Sequence, residues 1–224
     1  HKLVNHDRAD YYFFSDQDDV WLPNKLELSL KEAQNYLADL PLMVYMDLKV
    51  VNQDLEIMTE SMVKSQSHHA NTELVQELTE NTVTGGVAMI NHALAEMWQE
   101  TDDILMHDWY LALLASAFGN LVFIDQPGEL YRQHSDNVLG ARTLSKRFKK
   151  WIRPHILFAV YWDLIKNSQK QARHLLQMPL SQSNRELIEA FVTIMDKSML
   201  GRFRILRKYG LRKNKAFHTL VFTT

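Results

Sequence analysis

The chain contains no cysteine. Disulfides and thiolate metal sites are therefore excluded, and the fold must rest on its apolar core; a reducing compartment is compatible with this. Long apolar runs are missing too. None is longer than the run from Ile156 to Trp162, far short of the ~20 residues a helix needs to span a bilayer. Proline and glycine are sparse, 5 and 7 in 224 residues, which excludes collagen-like and low-complexity architectures. Each one that does occur therefore marks a boundary worth reading. The start, His1-Lys2-Leu3-Val4, reads as neither an initiator methionine nor a signal peptide. Carboxylates are absent from one region in particular. After Asp196 there is no Asp or Glu, while Lys197, Arg202, Arg204, Arg207, Lys208, Arg212, Lys213 and Lys215 follow. The formal charge of -2 thus hides an acidic first half and a basic end. That asymmetry suggests a metal-binding half and a tail that meets an anionic surface.

What is present organises into two parts. A strand is expected over 11–15. Pro23 can open a helix over 24–40, with Leu26, Leu30, Ala33 and Leu37 at helical spacing and Pro41 closing it. Residues 42–51 read as a second strand, followed by the turn Asn52-Gln53-Asp54 and a short extended piece. Residues 60–71, with His68-His69, read as a solvated loop. Asn71 or Thr72 can cap a helix through Leu78. Residues 84–90 read as a glycine-led strand, and Asn91 as the cap of a helix through Gln99. A helix over 108–118 should stop at Gly119. A strand over 121–125 precedes a Pro127-Gly128 turn and then Leu130-Tyr131-Arg132. Beyond Leu139 strand-like alternation disappears. Helices are expected near 143–151, 155–177, 183–199 and 200–209, with Ser181 or Ser183 as a cap. The predicted class is α/β over residues 1–138, with a basic helical appendage over 139–224.

The chemistry concentrates where Tyr11-Tyr12-Phe13-Phe14-Ser15 runs into Asp16-Gln17-Asp18-Asp19. Carboxylates beside a buried strand are costly to desolvate, so a countercharge is expected nearby. Three acids in one short loop suit a divalent cation with oxygen ligands, Mg²⁺ or Mn²⁺, shared with a substrate phosphate. Two specific readings fit the loop. One is an Asp-X-Asp loop holding a metal against a sugar diphosphate. The other is an aspartyl-phosphate hydrolase with Asp16 as nucleophile, for which Asp102-Asp103 would be a second acidic pair and Lys49 or Lys64 the lysine.

Longer strings separate the two. Phe14-Ser15-Asp16-Gln17-Asp18-Asp19-Val20-Trp21-Leu22-Pro23-Asn24-Lys25-Leu26 resembles family 2 glycosyltransferases with the GT-A fold, and within them bacterial rhamnosyltransferases of surface polysaccharide synthesis. Thr82-Val83-Thr84-Gly85-Gly86-Val87-Ala88-Met89, Met106-His107-Asp108-Trp109-Tyr110-Leu111-Ala112 and Leu130-Tyr131-Arg132-Gln133-His134-Ser135-Asp136-Asn137-Val138 follow in the family's order. The resemblance covers about residues 8–142. It implies a partial GT-A mixed sheet flanked by helices, with the domain's nucleotide-gripping strand-helix-strand unit missing, since only 15 residues precede Asp16.

The resemblance also implies roles. Asp18, with Asp16 and Asp19, would hold the metal. Asp16, Arg132 and His134 would face the donor diphosphate. Asp108 would be the general base, and Gly85, Gly86 and Trp109 would lie on the acceptor side. A carboxylate at a helix start is favoured in its ionised form, although the same position suits a plain cap. The implied donor is a nucleotide sugar, dTDP-rhamnose first, and the acceptor a saccharide or lipid-linked saccharide, with inversion at the anomeric carbon. The implied place is cytoplasmic, peripheral at the inner face of the cell membrane. The basic helices suit an anionic membrane surface, and no nucleic-acid module is present. A non-catalytic saccharide- or membrane-binding module stays open beside the two enzymatic readings.

Overall fold

The computed structural model describes residues 8–99, 104–133 and 154–214, with Thr219 and Phe222. Strand β3, Leu42–Val51, is the organising element. Its sequence is apolar almost without alternation, as befits a strand covered on both faces. It pairs in parallel along its whole length with β6, Asn120–Arg132. On its other edge it pairs antiparallel first with β5, Ala88–Asn91, and then with β4, Ile57–Thr59. The edge strand β1, Tyr11–Phe13, adds to β5, and β2, Val20–Trp21, adds to β6, both antiparallel. The result is one mixed sheet in the order β1-β5-β3-β6-β2, with β4 beside β3. The acidic loop therefore links opposite edges of this sheet, leaving from β1 and arriving at β2.

Helices cover both faces. The first, α1, is Lys25–Ala33. It is shorter than its periodicity predicts, because the chain must turn back over Gln34–Leu40 to enter β3. Asn91 fixes that return: its Nδ2 donates to Ala38 O and Leu40 O, and its Oδ1 accepts from Leu42 N. The inner face of α1 is also not the predicted one. Lys25, Ser29 and Ala33, spaced four apart, are its buried residues, whereas Leu26, Leu30 and Leu37 are exposed.

Residues 60–71 are not all loop. Ser61 caps α2, Met62–Gln66, and buried Asp47 supports this turn by accepting from Ser61 Oγ and Val63 N. His68 and His69 are exposed. The next short helix, α3, is Leu74–Glu77, and its N-terminal box is made by Glu73 and Gln76 rather than by Asn71 or Thr72. Asn71 is instead buried, with Nδ2 donating to Glu80 O. Gly85–Val87 is a 3₁₀ turn that delays the strand to Ala88. Asn91 does cap α4, His92–Glu96, through Leu94 N. The predicted Pro127-Gly128 turn is a bulge inside β6, where the pairing register with β3 shifts around Asp47. Bulges tolerate Pro and Gly that a regular ladder rejects.

Helix α5, His107–Phe118, runs through the core and is buried on nearly all sides. It stops at Gly119 for reasons of space: a Cβ there would lie 1.9 Å from Pro41 O. Gly119→Ala should therefore cost about 1–3 kcal/mol through forced backbone displacement, read as a lower denaturation midpoint with an unchanged slope.

The helical part is α6, Pro154–Leu175, α7, Gln182–Val192, and α8, Met199–Tyr209. Ser181 caps α7. This part shares one apolar cluster with the sheet: Ile165, Leu175, Ile188 and Phe191 pack in the same cluster as Tyr45, Leu78 and Leu111. Polar bonds pin it there, with Ser168 Oγ donating to Leu78 O and Asn184 Nδ2 to Ala117 O. The helix predicted over 143–151 lies outside the described residues. Among the described residues no helix is long and apolar enough to cross a membrane.

Candidate active site

The acidic loop is bound down by the far end of β6. Arg132 donates from its backbone N to Asp19 Oδ1 at 2.8 Å and from Nε to Asp18 O at 3.1 Å, while Nη1 reaches Gln53 O. The guanidinium thus joins the loop to the turn after β3, and bonds the loop's backbone rather than standing apart from it. Asp16 is exposed, and Asp18 and Asp19 are half-buried. The Oδ2 of Asp19 is buried without a donor. Burial raises the Asp19 carboxyl above its ordinary range, against the Arg132 N–H, and Asp18 and Asp16 add to the rise.

Beneath the loop lies a pair that the sequence reading passed over. Lys25 Nζ donates to Glu129 Oε2 at 3.1 Å and to Gly86 O, and sits 3.8 Å from the centre of the Trp21 ring. Both side chains are sealed, 1% and 0% exposed. Burial pushes the Glu129 carboxyl up to about 7, more than Lys25 offsets, and Asp19 and Asp16 push it further. Burial likewise lowers Lys25. Glu129 and Asp19 also interact directly, as a carboxyl–carboxylate hydrogen bond when one of them holds a proton. Lys25 is the countercharge that the loop demanded. It occupies the first position of a helix, where lysine normally reads as solvated; the available signal was its four-residue spacing to Ser29 and Ala33. Glu129 was hidden by the Pro127-Gly128 turn reading.

Asp108 stands in the first turn of α5, 7% exposed. Its Oδ1 accepts from Trp109 N at 2.7 Å, and the carboxylate also takes the Gly85 N–H. Burial raises its affinity for a proton, opposed chiefly by His107 and then by these N–H groups. His107 is exposed and packs against Phe14 and Trp98. Trp109 lies in the core with Nε1 donating to Glu77 O at 2.7 Å. It packs behind the site, so a sugar ring cannot stack on it there.

The two glycines connect these groups. A Cβ on Gly85 would lie 2.9 Å from His107 Nε2, and one on Gly86 would lie 2.5 Å from Glu129 Oε1. Their missing side chains therefore leave room for the His107 and Glu129 side chains. The 3₁₀ turn is a shared wall: Asp108 grips it on one side and the Lys25–Glu129 pair on the other.

His134 and the pair Asp102-Asp103 lie outside the described residues. Lys49 pairs with Glu60 and Lys64 with Asp125, so neither pairs with the acidic loop. Among the described residues no three acidic or histidine side chains converge as a ready-made cation cage. The loop carboxylates nonetheless suit Mg²⁺, which takes one or two carboxylates and completes its shell with water and substrate phosphate. No protein-family model matches this chain, and no curated protein matches it.

Proposed function

We propose that the chain carries the metal loop and acceptor side of a GT-A-like glycosyltransferase. It would move L-rhamnose or a related hexose, from dTDP-rhamnose first, to a saccharide or lipid-linked saccharide acceptor. The observation that carries this reading is the shared glycine wall. One turn stands between Asp108, a buried single carboxylate at a helix start, and the Lys25–Glu129 pair, on which the partly solvent-open Asp16 and Asp19 act electrostatically, so these acids sit in environments suited to different tasks. Bound Mg²⁺ or Mn²⁺ would neutralise charge on the diphosphate, with Asp16 and Asp18 as its holders and Asp19 supporting. The acceptor hydroxyl oxygen attacks the anomeric carbon as that carbon's bond to the diphosphate oxygen breaks. The hydroxyl proton passes to Asp108, and the electron pair leaves with the diphosphate. Backside displacement inverts the configuration.

The aspartyl-phosphate alternative has weaker support. The lysine nearest the loop, Lys25, is committed to Glu129 and Gly86 O. Two incubations with Mg²⁺ separate the readings: dTDP release from dTDP-rhamnose in the presence of a saccharide acceptor supports transfer, whereas release of inorganic phosphate from a phosphomonoester such as p-nitrophenyl phosphate, through an Asp16-borne acyl phosphate, supports the hydrolase. Glycan binding without either supports the module. Calorimetry with dTDP and Mg²⁺ tests the loop itself. Asp18→Asn is expected to weaken binding at least tenfold, about 1.4 kcal/mol. Binding by the Asp16→Asn and Asp18→Asn proteins as tight as the parent's would remove the metal-loop assignment.

A further inference from the structure

Helix α8 is well bounded. Ser198 Oγ accepts from Gly201 N at its start, and Gly210, at φ 69°, ends it in the left-handed conformation. One side is anchored: Leu206 is buried, Ile205 and Tyr209 pack on the core, and Arg202 donates from Nη2 to Met195 O. Away from that side lie Leu200 and Phe203, 73% and 59% exposed, and Met199, the first residue of the helix, is 68% exposed. Arg204, Arg207 and Lys208 are exposed on the same arc. That arc carries no carboxylate, and none follows it in the chain. Among the described residues none of its three cations forms a salt bridge; the pairs found are elsewhere.

We infer that this outward face of α8 docks on an anionic membrane surface. Three large apolar side chains held in water need a cover, and the interleaved cations decide what kind. An apolar protein groove would strand Arg204 and Arg207. A nucleic-acid backbone offers nothing to Met199, Leu200 and Phe203. A bilayer boundary takes both: acyl chains receive the apolar tips while lipid phosphates and anionic headgroups receive the guanidinium and ammonium groups, whose stems reach up to them. The inference stands on α8 alone and does not depend on sugar transfer; loss of one leaves the other untouched.

Co-flotation of the full chain with vesicles tests it. Binding to mixed phosphatidylglycerol–phosphatidylcholine vesicles is expected, weakening as salt rises, with at least tenfold less binding to pure phosphatidylcholine. Leu200→Ser with Phe203→Ser, and separately Arg204→Glu with Arg207→Glu, should each weaken binding at least tenfold. These side chains are exposed, so unchanged melting temperatures accompany that result; if the charge reversals disturb the fold, Arg204→Gln alone should still reduce binding and its salt dependence. No binding, equal binding to both vesicle types, or variants that bind like the parent would overturn the inference. So would lipid-free self-association, seen by sedimentation velocity, that the same variants abolish.

Discussion

Asp108→Asn is expected to lower turnover by about 10²–10⁴-fold, the contribution of a positioned general base, while leaving donor binding and the fold intact. The fold survives because an amide oxygen can still accept from Trp109 N, and a neutral group at this buried position avoids the cost of desolvating a charge. The melting temperature should therefore hold or rise. A residue serving only to hold the helix start would leave turnover unchanged, since asparagine accepts there as well as aspartate does. The pH profile adds a second check. A base must be ionised to act, and burial raises the Asp108 carboxyl above its ordinary range. The acid limb of kcat/KM should accordingly lie above the usual carboxylate range, with activity falling as pH drops through it. His107→Ala removes the neighbour that most strongly holds this carboxyl down, so it should move the limb to still higher pH. A limb that stays put in His107→Ala would disconnect Asp108 from the rate.

Much of this architecture is readable where one physical demand acts alone. The unbroken apolar stretch Leu42–Val51 has few roles other than a strand covered on both faces, and it is one. Asn91 caps α4 as its side-chain chemistry predicts, and its amide also clips the turn before β3. Helix α5 follows its apolar content up to Gly119. Reading fails where two demands compete. The spacing of Leu26 and Leu30 correctly signals a helix, yet those leucines face out, because the sheet side of α1 is given to Lys25 and its partner. Periodicity reports that a face exists and not which face is buried. Pro127-Gly128 has the composition of a turn and becomes a bulge, since β6 must stay paired with β3 on both sides of Asp47. Within the site, the carboxylates of the loop are visible in the chain because they cluster locally. Lys25 and Glu129 are 104 residues apart, and the β2–β6 pairing, with α1 packed on the sheet, brings them together.

Lys25→Met tests that hidden pair and should be the most destabilising change at the site. Removing one partner of a sealed ion pair costs about 3–5 kcal/mol, because the other charge is left buried without compensation. Here Glu129 would lose its cation while keeping Asp19 and Asp16 as repulsive neighbours. The cost must depend on pH, and its sign follows from Glu129. In the folded protein its carboxyl is raised to about 7, above its value in an unfolded chain, so the native state binds the extra proton between the two. Stability is greatest below the unfolded value and is lost as pH rises through the folded one. Without Lys25 the carboxyl rises further, and the loss continues to higher pH. Chemical denaturation should therefore show a larger deficit for Lys25→Met at pH 8 than at pH 5, where a protonated Glu129 needs no countercharge. Lys25→Met combined with Glu129→Gln should recover part of the deficit and flatten its pH dependence, since no buried charge is then left unpaired. An equal deficit at both pH values would mean that Glu129 does not titrate in this range. The acidic loop would then rest on packing against Lys25 rather than on a shared proton beneath it.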